Sequence, residues 1–261
     1  GYSGTATEAT PLSKVDLSEI PRISSGLSEL DRVLGGGLVA GSVILLGGQP
    51  GAGKSTLLLQ VLSLLSTRID VLYVSGEESL QQVALRANRL MLSAINFNML
   101  AETDVDTVCG TAQRLKPKLI VIDSIQVMYL RELQATAGGV TQVRECAARL
   151  ARYAKQTDTM LLLVGHVTKD GMLAGPKVLE HIVDCSLMLE TSTDSRYRTL
   201  RSIKNRFGAV NELGVFAMTE TGLKEIKNPS AIFLTRSETP RPGSIVMVVW
   251  EGTRPMLIEL Q

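Results

Sequence analysis

Gly48 and Gly53 bracket four residues and are followed at once by Lys54 and Ser55, within "GGQPGAGKST" (47–56). Glycines at that spacing let backbone N–H groups wrap an anion, and a helix opening at Lys54 adds the partial positive charge of its N-terminus. A lysine so placed reaches the outer phosphates of a nucleotide, and the next hydroxyl holds magnesium. The candidate cradle is Gly48, Gln49, Pro50, Gly51, Ala52, Gly53, Lys54, Ser55 and Thr56. No N-K-x-D segment is present to read guanine, so the expected ligands are ATP and Mg2+.

Phosphoryl chemistry also needs a carboxylate near the metal and a group that orients water. "KLIVIDS" (118–124) is an apolar run that delivers Asp123 to the C-terminal edge of a sheet, where it joins Ser55 as the second metal ligand. "VLYVSGEES" (71–79) ends another run on Glu77 and Glu78. Either can polarise water, and either can be a stabilising acid at a helix N-terminus. Glu77 is the preferred base, with Glu78 left to the helix. A last pair, Lys204 and Arg206 in "RSIKNRFGAVNELG" (201–214), stands two residues apart on an expected strand and so projects from one face. Alone, these two read as solvated cations at a hairpin end.

The elements that carry these residues follow from periodicity. "LSELDRVLGGGL" is a short amphipathic helix stopped by Gly35 to Gly37. Strands are expected near 43–47, 71–75, 97–100, 118–122 and 160–164, and helices near 54–67, 79–92, 104–115 and 141–156. Ser79 with Gln82 forms a capping-box signature. Such alternation predicts an α/β fold with a mainly parallel sheet flanked by helices. Beyond residue 182, "SLMLE", "RTLRSIK", "LGVFAM" and "AIFL" read as antiparallel strands at the C-terminal side. Residues 1–21 read as a flexible linker.

Composition narrows the partners. With 261 residues and 44% apolar content the chain can bury one large core. Lys plus Arg total 27 against 26 for Asp plus Glu, so contact with a nucleic acid must rest on a local cluster. Trp250 is the sole tryptophan and aromatics are 4%, which argues against a base-stacking platform. Cys109, Cys146 and Cys185 lack the spacing for a zinc site or a disulfide framework. No apolar run reaches membrane length, and the first residues lack the features of a secretion signal. The expected compartment is the cytoplasm.

In this order the pieces resemble the RecA-type P-loop ATPase core. "VSGEES", "IDSIQ", "QVRECAARL", "GHVTKDGMLAGPKVLEHIVD" and "KNRFG" are similar to hallmark segments of the bacterial RadA repair family, and the resemblance runs from Arg22 to Gln261. It implies a RecA-like ATPase domain over 22–240 and the start of a truncated Lon-like region over 241–261, without the family's four-cysteine zinc module. It further implies a hexameric, helicase-like motor on single-stranded DNA that drives branch migration in recombination and repair, with a RecA-type recombinase as a further partner. On that resemblance Lys204 and Arg206 act on the nucleotide of an adjoining subunit, where an arginine finger is worth about 10³ to 10⁵ in rate. His166 resembles the superfamily's γ-phosphate sensor, a reading preferred here to that of a structural histidine, and His181 reads as structural. Arg131, Lys169 and Lys177, in or beside two Gly-containing loops, are candidate DNA phosphate contacts; ordinary loops are the alternative. The competing function is a RecA-fold regulatory ATPase or autokinase that signals to protein partners.

Overall fold

A computed structural model of the chain describes residues 9–16, 18, 20–92, 96–167, 176–192, 195–230, 245–251 and 254–260. Two short strands, β1 (Arg22–Ile23) and β2 (Leu38–Val39), pair antiparallel on either side of α1 (Ser28–Leu34) in the chain. Helix α1 stops where Gly35 turns to φ 87° and its N–H bonds back to the Arg32 carbonyl, a left-handed cap that glycine adopts without steric cost.

The α/β alternation then runs β3 (Val43–Gly48), α2 (Lys54–Leu65), β4 (Val71–Ser75), α3 (Leu80–Arg89), β5 (Asn98–Ala101), α4 (Val105–Leu115), β6 (Leu119–Asp123), α5 (Val140–Thr157) and β7 (Met160–His166). After it come α6 (Pro176–Leu179), β8 (Cys185–Thr191), β9 (Tyr197–Asn205), β10 (Leu213–Thr219) and β11 (Gly222–Glu225). A hairpin of β12 (Ile245–Glu251) and β13 (Arg254–Leu260) follows, and its Met256 clusters with Leu213 and Val215. The expected capping box is present, with the Ser79 N–H donating to Gln82 Oε1 at 2.8 Å and the Gln82 N–H to Ser79 Oγ at 3.2 Å.

Among the described residues nine strands form one sheet in the order β11-β10-β9-β8-β3-β7-β6-β4-β5. The six from β8 to β5 are parallel and the other three antiparallel, the α/β architecture of a RecA-type P-loop ATPase. The "SLMLE" segment was expected to be antiparallel, but β8 runs parallel to β3. The reason is connectivity: the chain crosses over after β7 and re-enters beside the start of β3, where the Asp184 N–H donates to the Val43 carbonyl at 2.8 Å. "AIFL" and Lys169 lie outside the described residues.

Strand alternation divides the core into two layers. Ile44, Leu46, Tyr73, Val121 and Val164 cluster with Leu57, Leu58 and Leu62 of α2. Val43, Leu45, Leu72, Ile120 and Ile122 cluster with Val108 of α4 and Val143 and Leu150 of α5. A sheet covered on both faces reads as continuous apolar runs, as these strands do. Among the described residues no helix is long and apolar enough to cross a membrane.

Candidate nucleotide site

The buried apolar strand β3 ends at Gly48, and α2 begins at Lys54, so the loop between them opens at the C-terminal edge of the parallel sheet. Its tip, Gln49, Pro50 and Gly51, is exposed. Gly53 stands at φ 101°, a conformation that favours glycine, and a Cβ there would come within 2.8 Å of Met218 Cε, the flexible end of a methionine. The Lys54 ammonium donates to the carbonyls of Gly48 at 2.6 Å and Gln49 at 2.9 Å, which holds it inside the loop. From β9 the buried Arg198 donates through Nε to the Ala52 carbonyl at 2.9 Å and braces the loop from behind. Ser55 and Thr56, the next residues of α2, line the same cleft of about 430 Å³ as Lys54, Glu77, Asp123 and His166.

The three acidic and imidazole groups come from three adjacent strands. Asp123 ends β6, buried, and Tyr73 of β4 donates its hydroxyl to Asp123 Oδ2 at 2.6 Å. Burial raises the Asp123 carboxyl above its usual range, and the bond from Tyr73 opposes that rise. Burial likewise drives the Tyr73 hydroxyl far upward, so it stays protonated and donates to Asp123. Glu77, just past β4, receives the Ser124 hydroxyl at 2.6 Å on Oε1 and His166 Nε2 at 2.9 Å on Oε2. The His166 hydrogen bond is the main cause that holds the Glu77 carboxyl below its usual value. Single atoms of Glu77, Asp123 and His166 lie within 4.8 Å of one another. His166 Nδ1 is buried with no hydrogen-bond partner, and Gln126 donates its amide to the His166 carbonyl at 3.3 Å.

Glu78 lines the same cleft but is engaged by Arg86 of α3, which grips both its oxygens at 2.7 and 2.6 Å. Lys54 is partly desolvated, which lowers its affinity for a proton, while Asp123 and Glu77 act in the other direction. The donor set fits ATP with magnesium. Ser55 and Asp123 offer the hard oxygens that this ion takes, and Lys54 supplies the cation for the phosphates.

The basic pair is elsewhere. Asn205 pairs with Cys185, and Cys185 with Ile44 near the start of β3, whereas the phosphate loop follows the end of that strand. Four residues of strand, about 13 Å, separate the two ends. Lys204 donates to the Glu180 carbonyl, and Arg206 Nη1 to Asp184 Oδ1 at 2.8 Å. Both cations turn to one side, toward the 180–184 segment. The ladder slips between Ser186 and Leu187, and β9 ends at Asn205, whose Oδ1 accepts the Phe207 N–H at 2.9 Å. That side-chain turn puts Arg206 one residue beyond the strand.

Of the candidate DNA contacts, Arg131 is 73% exposed along its side chain and pairs with Asp104 at 2.9 Å. Its loop is a knit structure in which the buried Gln142 amide bonds to the Leu130 N–H and to the Ala135 carbonyl. Lys177 is exposed on α6, three residues before Glu180. His181 is exposed.

Sequence reasoning passed over Tyr73, Ser124, Arg198 and Met218. Tyr73 and Met218 sit in apolar strands and read as core. The signal for Ser124 was its adjacency to Asp123; Arg198 gave none, because an arginine in an antiparallel strand reads as surface.

A family model described as an AAA domain matches residues 8–172. The whole chain is 64% identical over 262 residues to the Haemophilus influenzae protein named "DNA repair protein RadA" and 61% identical over 263 residues to that of Escherichia coli, covering 57% of each. The Bacillus subtilis protein of the same name is 46% identical over 98% of the chain and 56% of its own length. The chain therefore spans little more than half the length of these curated relatives. It belongs to the AAA-domain family, as a RecA-type ATPase core that proteins named DNA repair protein RadA share over nearly its full length.

Proposed function

We propose that the chain is the ATP-hydrolysing core of a DNA repair and recombination motor. In this reading it acts on single-stranded DNA in the cytoplasm as a hexameric, helicase-like ring that drives branch migration, with a RecA-type recombinase as a partner. Residues 22–240 form the ATPase unit and 241–261 begin a Lon-like region. The observation that carries the reading is Glu77, held between Ser124 and His166 across the cleft from Lys54. A carboxylate kept ionised by two donors at a phosphate loop is suited to orienting an attacking water.

Each residue has a task. The loop N–H groups and Lys54 hold the phosphates, and Ser55 and Asp123 would hold magnesium, which when bound neutralises charge on the phosphate oxygens. His166 touches Glu77 and so relates the occupancy of the cleft to the loop that follows β7. Lys204 and Arg206, at the other end of the sheet, serve the nucleotide of a neighbouring copy. Arg131, Lys169 and Lys177 contact DNA phosphates.

The pairing of Arg131 with Asp104 favours a second reading, a regulatory ATPase or autokinase that signals to protein partners without DNA. ATP turnover measured at low salt with single-stranded DNA of increasing length separates the two, with Lys54→Ala as the background. Stimulation by DNA is the expected result; turnover indifferent to DNA of every length removes the motor reading.

A further inference from the structure

We infer that Arg22 is a positioning residue for hydrolysis, the clamp that presents Lys204 and Arg206 to a neighbouring copy; this rests on the reading that the basic pair acts between subunits. Arg22 belongs to β1, far from the phosphate loop, and a lone arginine at the start of a domain reads as surface charge. The structure gives it a different occupation. Its Nη1 donates to the carbonyls of Leu34 and Gly37, each at 3.2 Å, and its Nη2 donates to the carbonyl of Phe207. One planar guanidinium thus ties the end of α1 to the turn that carries Arg206.

The seam around this clamp is closely fitted. Asn205 Nδ2 donates to the same Leu34 carbonyl at 3.0 Å, while its Oδ1 takes the Phe207 N–H. A Cβ on Gly35 would sit 3.3 Å from Gly208 Cα, and one on Gly36 3.1 Å from Arg22 Cδ. The three-glycine run after α1 therefore has a second purpose besides ending the helix: it lets the 205–208 turn and the Arg22 side chain lie against the helix end. The last carbonyls of a helix carry partial negative charge, so a guanidinium there is favourably placed. On its other side the same turn is held by Asp184, whose carbonyl accepts the Arg206 N–H at 2.9 Å and whose Oδ1 accepts its guanidinium. Arg22 and Asp184 together fix where the turn can be, so that Lys204 need only leave the Glu180 carbonyl and Arg206 the Asp184 carboxylate to reach outward. A transferring phosphoryl group is sensitive to such placement, since an error of about 1 Å costs about a hundredfold in rate.

The test uses Arg22→Ala in the full chain. The expected result is a tenfold to hundredfold lower kcat (order of magnitude), with KM for ATP and nucleotide affinity unchanged. Mixing this variant with Glu77→Gln should give more turnover than the two separate proteins summed, as should mixing Arg206→Ala with Glu77→Gln. Arg22→Lys, which keeps the charge but reaches fewer carbonyls, should fall between Arg22→Ala and the unaltered chain and show the same rescue; it carries the test if Arg22→Ala does not fold. Unaltered kcat in Arg22→Ala overturns the inference. So does a loss of nucleotide affinity equal to the loss of rate. Rescue of Arg206→Ala without rescue of either Arg22 variant overturns the clamp alone, and rescue of none of them overturns the intersubunit reading as well.

Discussion

Asp184 is 1% exposed and accepts three donors: the Val43 N–H at 2.8 Å, Lys155 at 2.9 Å and Arg206 at 2.8 Å. Arg206 is thus both a candidate finger and a partner of a buried carboxylate. The two roles separate in Arg206→Ala. Loss of the finger lowers hydrolysis at least about a hundredfold with nucleotide affinity retained. Loss of one charged donor costs roughly 1–2 kcal/mol, with the others still in place. Steady-state kinetics and a denaturant melt of the same preparation check both halves. Equal turnover in the variant and the unaltered protein would remove Arg206 from the chemistry.

Gly35 shows how an element end shapes the site. At φ 87° a Cβ is strained wherever it points, and here it also meets Gly208 Cα at 3.3 Å. Gly35→Ala should cost about 1–2 kcal/mol, read as a lower denaturation midpoint. It should also slow turnover, because the 205–208 turn must move away. The glycine run was legible as a helix stop; its contact with a turn about 170 residues away was not, because that contact is tertiary. The strands from β3 to β7 were legible because burial on both faces leaves unbroken apolar runs, and Ser79 announced α3. Direction was the weak point. A seven-residue strand such as β8 carries the same apolar pattern whichever way it runs, and only the crossover before it decides. Glu77 was readable by its place at a strand end, but its bonds to Ser124 and His166 depend on the order of β4, β6 and β7 in the sheet.

For the whole molecule, burial pushes the thiols of Cys146 and Cys185 up to about 12 and that of Cys109 to about 11, from an ordinary value of 9.0. A raised thiol binds its proton more tightly in the folded state. Its contribution is therefore complete below the unfolded value and is lost as pH climbs towards the folded one. The denaturation midpoint should fall from about pH 9 to about pH 12, and the Cys146→Ala, Cys185→Ala double variant should lose much of that slope. A midpoint independent of these cysteines would show that the thiols are open to solvent. The layout of the sheet reaches further than stability. A solitary molecule keeps its phosphate loop and its basic pair at opposite ends of β3; on the proposed intersubunit reading, each copy then owns two unlike halves of an active centre and completes neither. Turnover then belongs to encounters: dilution should silence a fully folded protein, and specific activity should climb with concentration.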